Sequence, residues 1–277
     1  MIPAYKEDVR VVPMGADLGP AYQGFEHGIT QRLAQIEAQG DRSAQLPWFQ
    51  ALLVYPDMPW VGWKCKTRRG TVLGEAPALP KQLVYPLEQA LIDYVREQFE
   101  RRLPVIVFTE NTGIYDDQER LKNLFERYLC SPSGDALDVA ILRATVHGGD
   151  RQAWINERIV EGVDVLICNP VLTCDLTLTY FKRIAYKRIP QQSETLYRSA
   201  RCLLRPEQDE NIETVFFSYQ GSVALRLLHQ LAFPGLRQLD TAVFKPQGVR
   251  PLPDIIEEIA RLMREDLGHE RTELAQH

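Results

Sequence analysis

The chain has 277 residues, 45% of them hydrophobic and 25% charged, with a formal net charge of −5. That length supports one large domain or two small ones, each with a full core, and the balance is that of an ordinary globular protein. It excludes a membrane span, because no apolar run approaches the ~20 residues required, and the opening MIPAYKEDVRVVP has no signal-type apolar core, so the expected location is the cytoplasm.

Taken in order, residues 8–14 alternate weakly and could form a strand. Residues 21–39 read as a helix, with Phe25, Ile29, Leu33 and Ile36 near one face. Gly40 and Asp41 break it, and a second short helix is expected over 44–54. Pro56 and Pro59 then force a loop by fixing φ and removing donors. The proline-rich stretch 56–86 carries the basic cluster Lys64, Lys66, Arg68 and Arg69 beside Trp60 and Trp63. It reads as a linker or an exposed β-ribbon. The cluster is either a solvated loop or a contact for a nucleic-acid backbone.

From residue 87 the pattern is regular. Leu87, Leu91, Tyr94 and Val95 mark a helix with one apolar face. Strands are expected over 103–109, 137–142, 163–168, 183–186 and 214–219. Helices are expected over 121–129, 151–160 (Trp154 and Ile159 inward), 194–204, 222–231 and 255–263. Strands alternating with helices predict an α/β fold with a mostly parallel sheet covered on both faces, preceded by a small helical or irregular segment. The expected division is 1–85 and 86–277. In such a sheet ligands meet the loops at the carboxyl ends of the strands, here 110–115, 143–150, 169–180 and 187–193.

A local basic block follows the apolar run 163–168. Between Lys182 and Arg205 there are seven Lys or Arg residues and a single acid, Glu194. Fixed guanidinium groups beside a buried strand suit phosphate recognition. A solvated helix face is the alternative. Lys187 and Arg188 are the block's candidates at a strand end. The sequence has no GxxxxGK[ST] phosphate loop, no GxSxG, HExxH or GxGxxG, and no acidic pair ending a strand as a magnesium pair would. The five cysteines, Cys65, Cys130, Cys168, Cys174 and Cys202, include no CxxC spacing and suggest neither zinc nor a disulfide framework.

Four stretches in order, LPVIVFTENTG, AILRATVHGGDRQAWINERIVEGVDVLICNP, PQQSETLYRSARCLLRPEQ and ETVFFSYQGSVALRLLHQL, resemble the second RecA-like lobe of superfamily 2 helicases. The likeness is strongest to SWI/SNF-type bacterial DNA translocases. YKEDVRVVPM and WFQALLVYPDMPW resemble the segment that precedes this lobe. The resemblance implies a RecA-like lobe that closes over ATP and Mg held by a separate P-loop lobe. It implies that an arginine of the helix RSARCLLRPEQ reaches the γ-phosphate. Arg205 matches the second motif arginine, Cys202 replaces the first with Arg201 one place earlier, and Gln208 matches the final motif Gln beside the nucleotide. Thr109, Arg143 and Asn169 match positions that touch the DNA backbone or couple the lobes. The turn TCDLTL lacks the glycine found there in the family, and Arg198 and Glu207 replace two further motif residues. Two readings stay open. One is part of an ATP-dependent DNA translocase that needs a separate P-loop lobe and is no ATPase alone. The other is a non-enzymatic pseudo-helicase module that binds nucleic acid, weakly and through its backbone, or a protein.

Overall fold

Short apolar runs such as VIVF, VAIL and VLIC become the middle of a sheet, since a parallel strand covered on both faces has no polar side with which to alternate. The computed structural model describes residues 4–110, 116–129, 137–204, 211–236 and 251–274. Its elements are β1 (Tyr5–Val12), α1 (Gly15–Glu37), α2 (Gln45–Val54), β2 (Trp63–Lys66), β3 (Val72–Ala76), α3 (Pro86–Glu100), β4 (Val105–Phe108), α4 (Gln118–Tyr128), β5 (Val139–Leu142), α5 (Arg151–Glu161), β6 (Val165–Cys168), β7 (Arg183–Tyr186), α6 (Ser193–Ala200), β8 (Ile212–Tyr219), α7 (Val223–Leu236) and α8 (Leu252–Leu274). They form two units. One joins Met1–Val12 to Pro86–Tyr219, and the other joins Pro13–Tyr85 to Gln220–His277.

The first unit holds a sheet in the order β1-β8-β7-β4-β6-β5, with every neighbouring pair parallel. The chain passes from β4 out to β5, returns to β6 beside β4, then crosses to β7 on the other side. The reversal at β4 opens the crevice in which such sheets bind ligands. Aromatic rings fill the centre: Phe108 meets Tyr186 at 4.9 Å, and Tyr186 stacks on Phe216 at 5.0 Å. Arg183, at the start of β7, is enclosed and spends its donors on the carbonyls of Asn211 (2.8 Å) and Lys182 (2.9 Å). Helix α3 packs on β1, β8 and α4, while α4 packs on β5 and β6. The two helices are clamped by Arg120, whose Nε and Nη2 reach the Glu88 carboxylate at 2.6 and 2.8 Å.

Three local expectations change. The weak strand expected at 8–14 is β1, starting at Tyr5 and lying in the main sheet against β8. It belongs with residues 86–219 and not with a separate segment 1–85, and residues 220–277 belong with 13–85. Its half-buried pattern is that of an edge strand, which explains why its alternation is faint. In α5 the enclosed residue is Ile155, while Trp154 is half-exposed with the Arg158 guanidinium 5.6 Å from its ring. Helix α6 ends at Ala200 instead of running to 204, and residues 201–203 form turns.

The second unit packs α1, α2, α7 and α8 together. Leu18, Tyr22, Phe25, Ile29 and Leu33 bury one stripe of α1. The helix starts ahead of Pro20, which removes one backbone donor but leaves the stripe intact. Buried Trp48 donates to Thr30 Oγ1 at 3.0 Å, and Val223 N donates to Tyr22 Oη at 3.1 Å. Strands β2 and β3 pair antiparallel as a ribbon, one of the two forms expected for this stretch. Among the described residues no helix is long and apolar enough to cross a membrane.

Candidate functional site at the carboxyl edge of the sheet

Parallel strands put all their carboxyl ends on one edge, and register decides which residues share it. Phe108 is level with Cys168 and with Tyr186, and Leu142 is level with Cys168. The residues that follow are Arg143, Asn169, Thr109 and Lys187, which form one row across β5, β6, β4 and β7. The backbone ladder continues into the row, with Thr109 N donating to the Cys168 carbonyl (3.1 Å) and Lys187 N to the Phe108 carbonyl (2.9 Å).

Three members of the row reach the start of α4. Thr109 donates its hydroxyl to Asp117 Oδ1 at 2.9 Å, and Lys187 Nζ meets Asp117 Oδ2 at 2.5 Å. The Lys187 and Asp117 side chains are 1% and 0% exposed. Arg143 lies farther out. It donates to Asp116 Oδ2 at 2.5 Å and to Glu119 Oε1 at 2.7 Å. These bonds, that to Asp116 first, hold its guanidinium more firmly protonated than usual. Asn169 turns inward on its own loop, accepting from Val171 N at 3.0 Å and starting the short turn Pro170–Leu172. Arg188, next to the row, is buried.

The acidic turn at 116–119 is the part that sequence reasoning passed over. Asp116 and Asp117 do not end a strand; they lie between β4 and α4, eight or more residues past the last strand residue. The available signal was DDQE directly ahead of an amphipathic helix, which reads as ordinary acidic residues favouring a helix start. Their partners lie far off in sequence, Asp117 being 70 positions from Lys187.

Arg201 is not brought into the row. It follows the last residue of α6, with its guanidinium carbon 3.8 Å from the Tyr197 ring centre and 6.0 Å from that of Tyr5, the first residue of β1. Its Nη1 is shut away from solvent without a hydrogen-bond partner among the described residues. Tyr5 beside it donates to Glu7 at 2.5 Å and to the Ala200 carbonyl at 3.1 Å. Burial raises the Glu7 carboxyl above the usual range, against the opposing effects of Tyr5 and Arg201. Arg205 and Gln208 lie outside the described residues. Of the cysteines, Cys65, Cys168 and Cys202 are buried and Cys174 is half-exposed. Burial pushes the Cys168 thiol well up. Among the described residues no group of His, Cys, Asp and Glu is placed to hold a metal ion.

No protein-family model and no curated protein matches the chain. Solved structures do. The chain is similar to the C-terminal part of the Fun30 ATPase domain, with a TM-score of 0.66 and 11% identity over 97% of this chain and 99% of that one. It is also similar to the SWI2/SNF2 ATPase core of Sulfolobus solfataricus, solved in complex with dsDNA, with a TM-score of 0.56 and 12% identity over 83% of this chain and 44% of that one. The chain therefore spans less than half the length of that core. A parallel sheet in this order, covered by helices, is a RecA-like α/β fold, similar to that of the C-terminal part of the Fun30 ATPase domain.

Proposed function

We propose that the chain serves as the second lobe of an ATP-driven DNA translocase, closing on ATP and Mg held by a separate P-loop lobe and hydrolysing nothing alone. The observation that carries this reading is the match of 97% of the chain to a C-terminal ATPase lobe. The row of Arg143, Asn169, Thr109 and Lys187 on the edge where such sheets bind ligands adds to it. In this reading Arg205 meets the γ-phosphate, Arg201 is its nearest substitute, and Gln208 lines the nucleotide. When bound, ATP and Mg supply the transferable phosphoryl group and its charge neutralisation. Arg143 and Asn169, which keep some exposure, face the DNA backbone, with Arg188 behind them. Thr109 and Lys187 act through Asp117, holding α4 and its acidic turn in place. The DNA in the Sulfolobus structure supports duplex DNA as the partner.

A second reading, a binding module without catalysis, is favoured by one observation. Arg143 and Lys187 already have carboxylate partners inside the chain, so little of their charge is left for an external phosphate. The test is reconstitution with a P-loop lobe, comparing DNA-stimulated ATPase for wild type, Arg205→Ala and Arg201→Ala. An arginine finger is worth roughly 10³–10⁵ in rate. A loss of that order in Arg205→Ala, with the complex intact, supports the translocase reading, whereas equal rates in all three proteins leave the binding module.

A further inference from the structure

The chain is acidic overall, yet residues 64–70 read KCKTRRG, four cations with no acid. In the structure this is the β2–β3 hairpin of the second unit. Cys65, Leu73 and Ala76 point inward and are buried, which leaves Lys64 and Lys66 on the exposed side of the ribbon. The tip is closed by Thr67, whose N–H donates to the Thr71 carbonyl (2.8 Å) and whose hydroxyl accepts from Thr71 N (3.1 Å). Gly70 has φ +85° and takes the left-handed position that lets so tight a loop turn. Arg68 and Arg69 project at this tip, exposed.

The ribbon is also held from below. A Cβ placed on Gly74 would stand 2.7 Å from Ile29 Cγ2, so β3 lies directly on α1. A ribbon seated this way has little backbone entropy left to lose on binding. The acids nearby neutralise only part of the cluster. Lys64 is paired with Glu75. Arg69 lies 3.8 Å from Asp41 with 82% of its side chain still exposed, which makes that an open surface pair easily exchanged. Among the described residues neither Lys66 nor Arg68 has an ion pair. Trp60, ahead of the ribbon, is already stacked on Tyr85 at 6.0 Å.

We propose that this hairpin is a docking surface for the phosphate backbone of duplex nucleic acid, with Lys66, Arg68 and Arg69 making the contacts. A two-stranded ribbon is narrow enough to enter a major groove, and cations clustered at its tip bind by releasing counterions from the duplex. This goes beyond the translocase reading and does not depend on it, since it concerns residues outside the sheet edge and needs no nucleotide.

The experiment is fluorescence anisotropy of a labelled DNA duplex with the full chain over about 50–200 mM salt. The proteins are wild type, Lys66→Ala/Arg68→Ala and Arg143→Ala, each checked for an unchanged melting curve. Each phosphate contact contributes about 0.9 to the slope of log affinity against log salt, so the double variant should lose about 2 from that slope. A double variant with the wild-type affinity and slope overturns the proposal, as does a wild-type chain that binds no duplex at about 50 mM salt. Polyglutamate binding as tightly as the duplex would overturn it in favour of an acidic protein partner. Weakening by Arg143→Ala alone would move the contact to the sheet edge, leaving the translocase reading in place. A hairpin effect without ATPase coupling in the reconstituted complex would remove that reading and leave this one.

Discussion

Lys187 and Asp117 form an enclosed ion pair, 2.5 Å apart, between the end of β7 and the start of α4. Removing one member of such a pair strands a charge in a low-dielectric interior and costs about 3–5 kcal/mol, while replacing both with apolar groups is often neutral. Asp117→Ala should therefore destabilise the chain by about 3–5 kcal/mol, and Asp117→Leu with Lys187→Met should recover most of the loss. Denaturant midpoints of the three proteins check this. A single variant as stable as wild type would show that the pair does not hold α4.

The close seating of β3 on α1 makes Gly74 sensitive to a single methyl group. Gly74→Ala pushes a Cβ into Ile29, and overpacking of this kind costs about 1–3 kcal/mol. Calorimetry should show a lower melting temperature, and Ile29→Leu in the same chain, which removes the branching Cγ2 methyl, should restore part of it. If Gly74→Ala melts as wild type does, the ribbon is less firmly seated than the contact implies.

Stability should fall in alkali. Burial pushes the Cys65 thiol and the Tyr55 phenol each up to about 12. Both folded values are raised, so between the ordinary thiol range near ~8.5 and about pH 12 the folded chain holds protons that the unfolded chain has lost. The stabilisation is complete below ~8.5 and shrinks as pH climbs through that window. Urea midpoints should be flat up to about pH 8 and drop by about pH 11, and Cys65→Ala should make the drop shallower.

Thiol reactivity should follow burial. Thiolates, not thiols, are the nucleophiles, and apolar burial keeps Cys65 and Cys168 protonated. Brief iodoacetamide treatment of the native chain, read by peptide mass mapping, should label Cys174 and spare Cys65, Cys168 and Cys202. Prior unfolding should equalise all four. Labelling of Cys168 at the rate of Cys174 would mean that the carboxyl edge opens to solvent.

The purified chain should release no phosphate from ATP, with or without DNA, because its 277 residues include no GxxxxGK[ST] loop. Release above a protein-free blank that is abolished by Arg205→Ala would contradict this.

Local periodicity determined much of this protein. The runs at 105–108, 139–142 and 165–168 are short, apolar and separated by amphipathic helices, and that alternation implies a parallel sheet with its carboxyl ends on one edge. Thr109, Arg143, Asn169 and Lys187 were legible as strand-end residues, and Lys64–Arg69 as a basic cluster. Tertiary structure decided the rest, because the deciding interactions join residues that no periodicity links. β1 enters the sheet by pairing Tyr5 with Ile212. Asp117 becomes the partner of Lys187 and Thr109 only when β4 and β7 lie side by side. Arg201 leaves the expected helix and settles on Tyr197 and Tyr5, because α6 stops at Ala200 and β1 lies beneath it. The basic cluster sits on a β-ribbon seated on α1, where Gly74 lets β3 touch Ile29, and that contact between residues 45 positions apart is written in the packing alone.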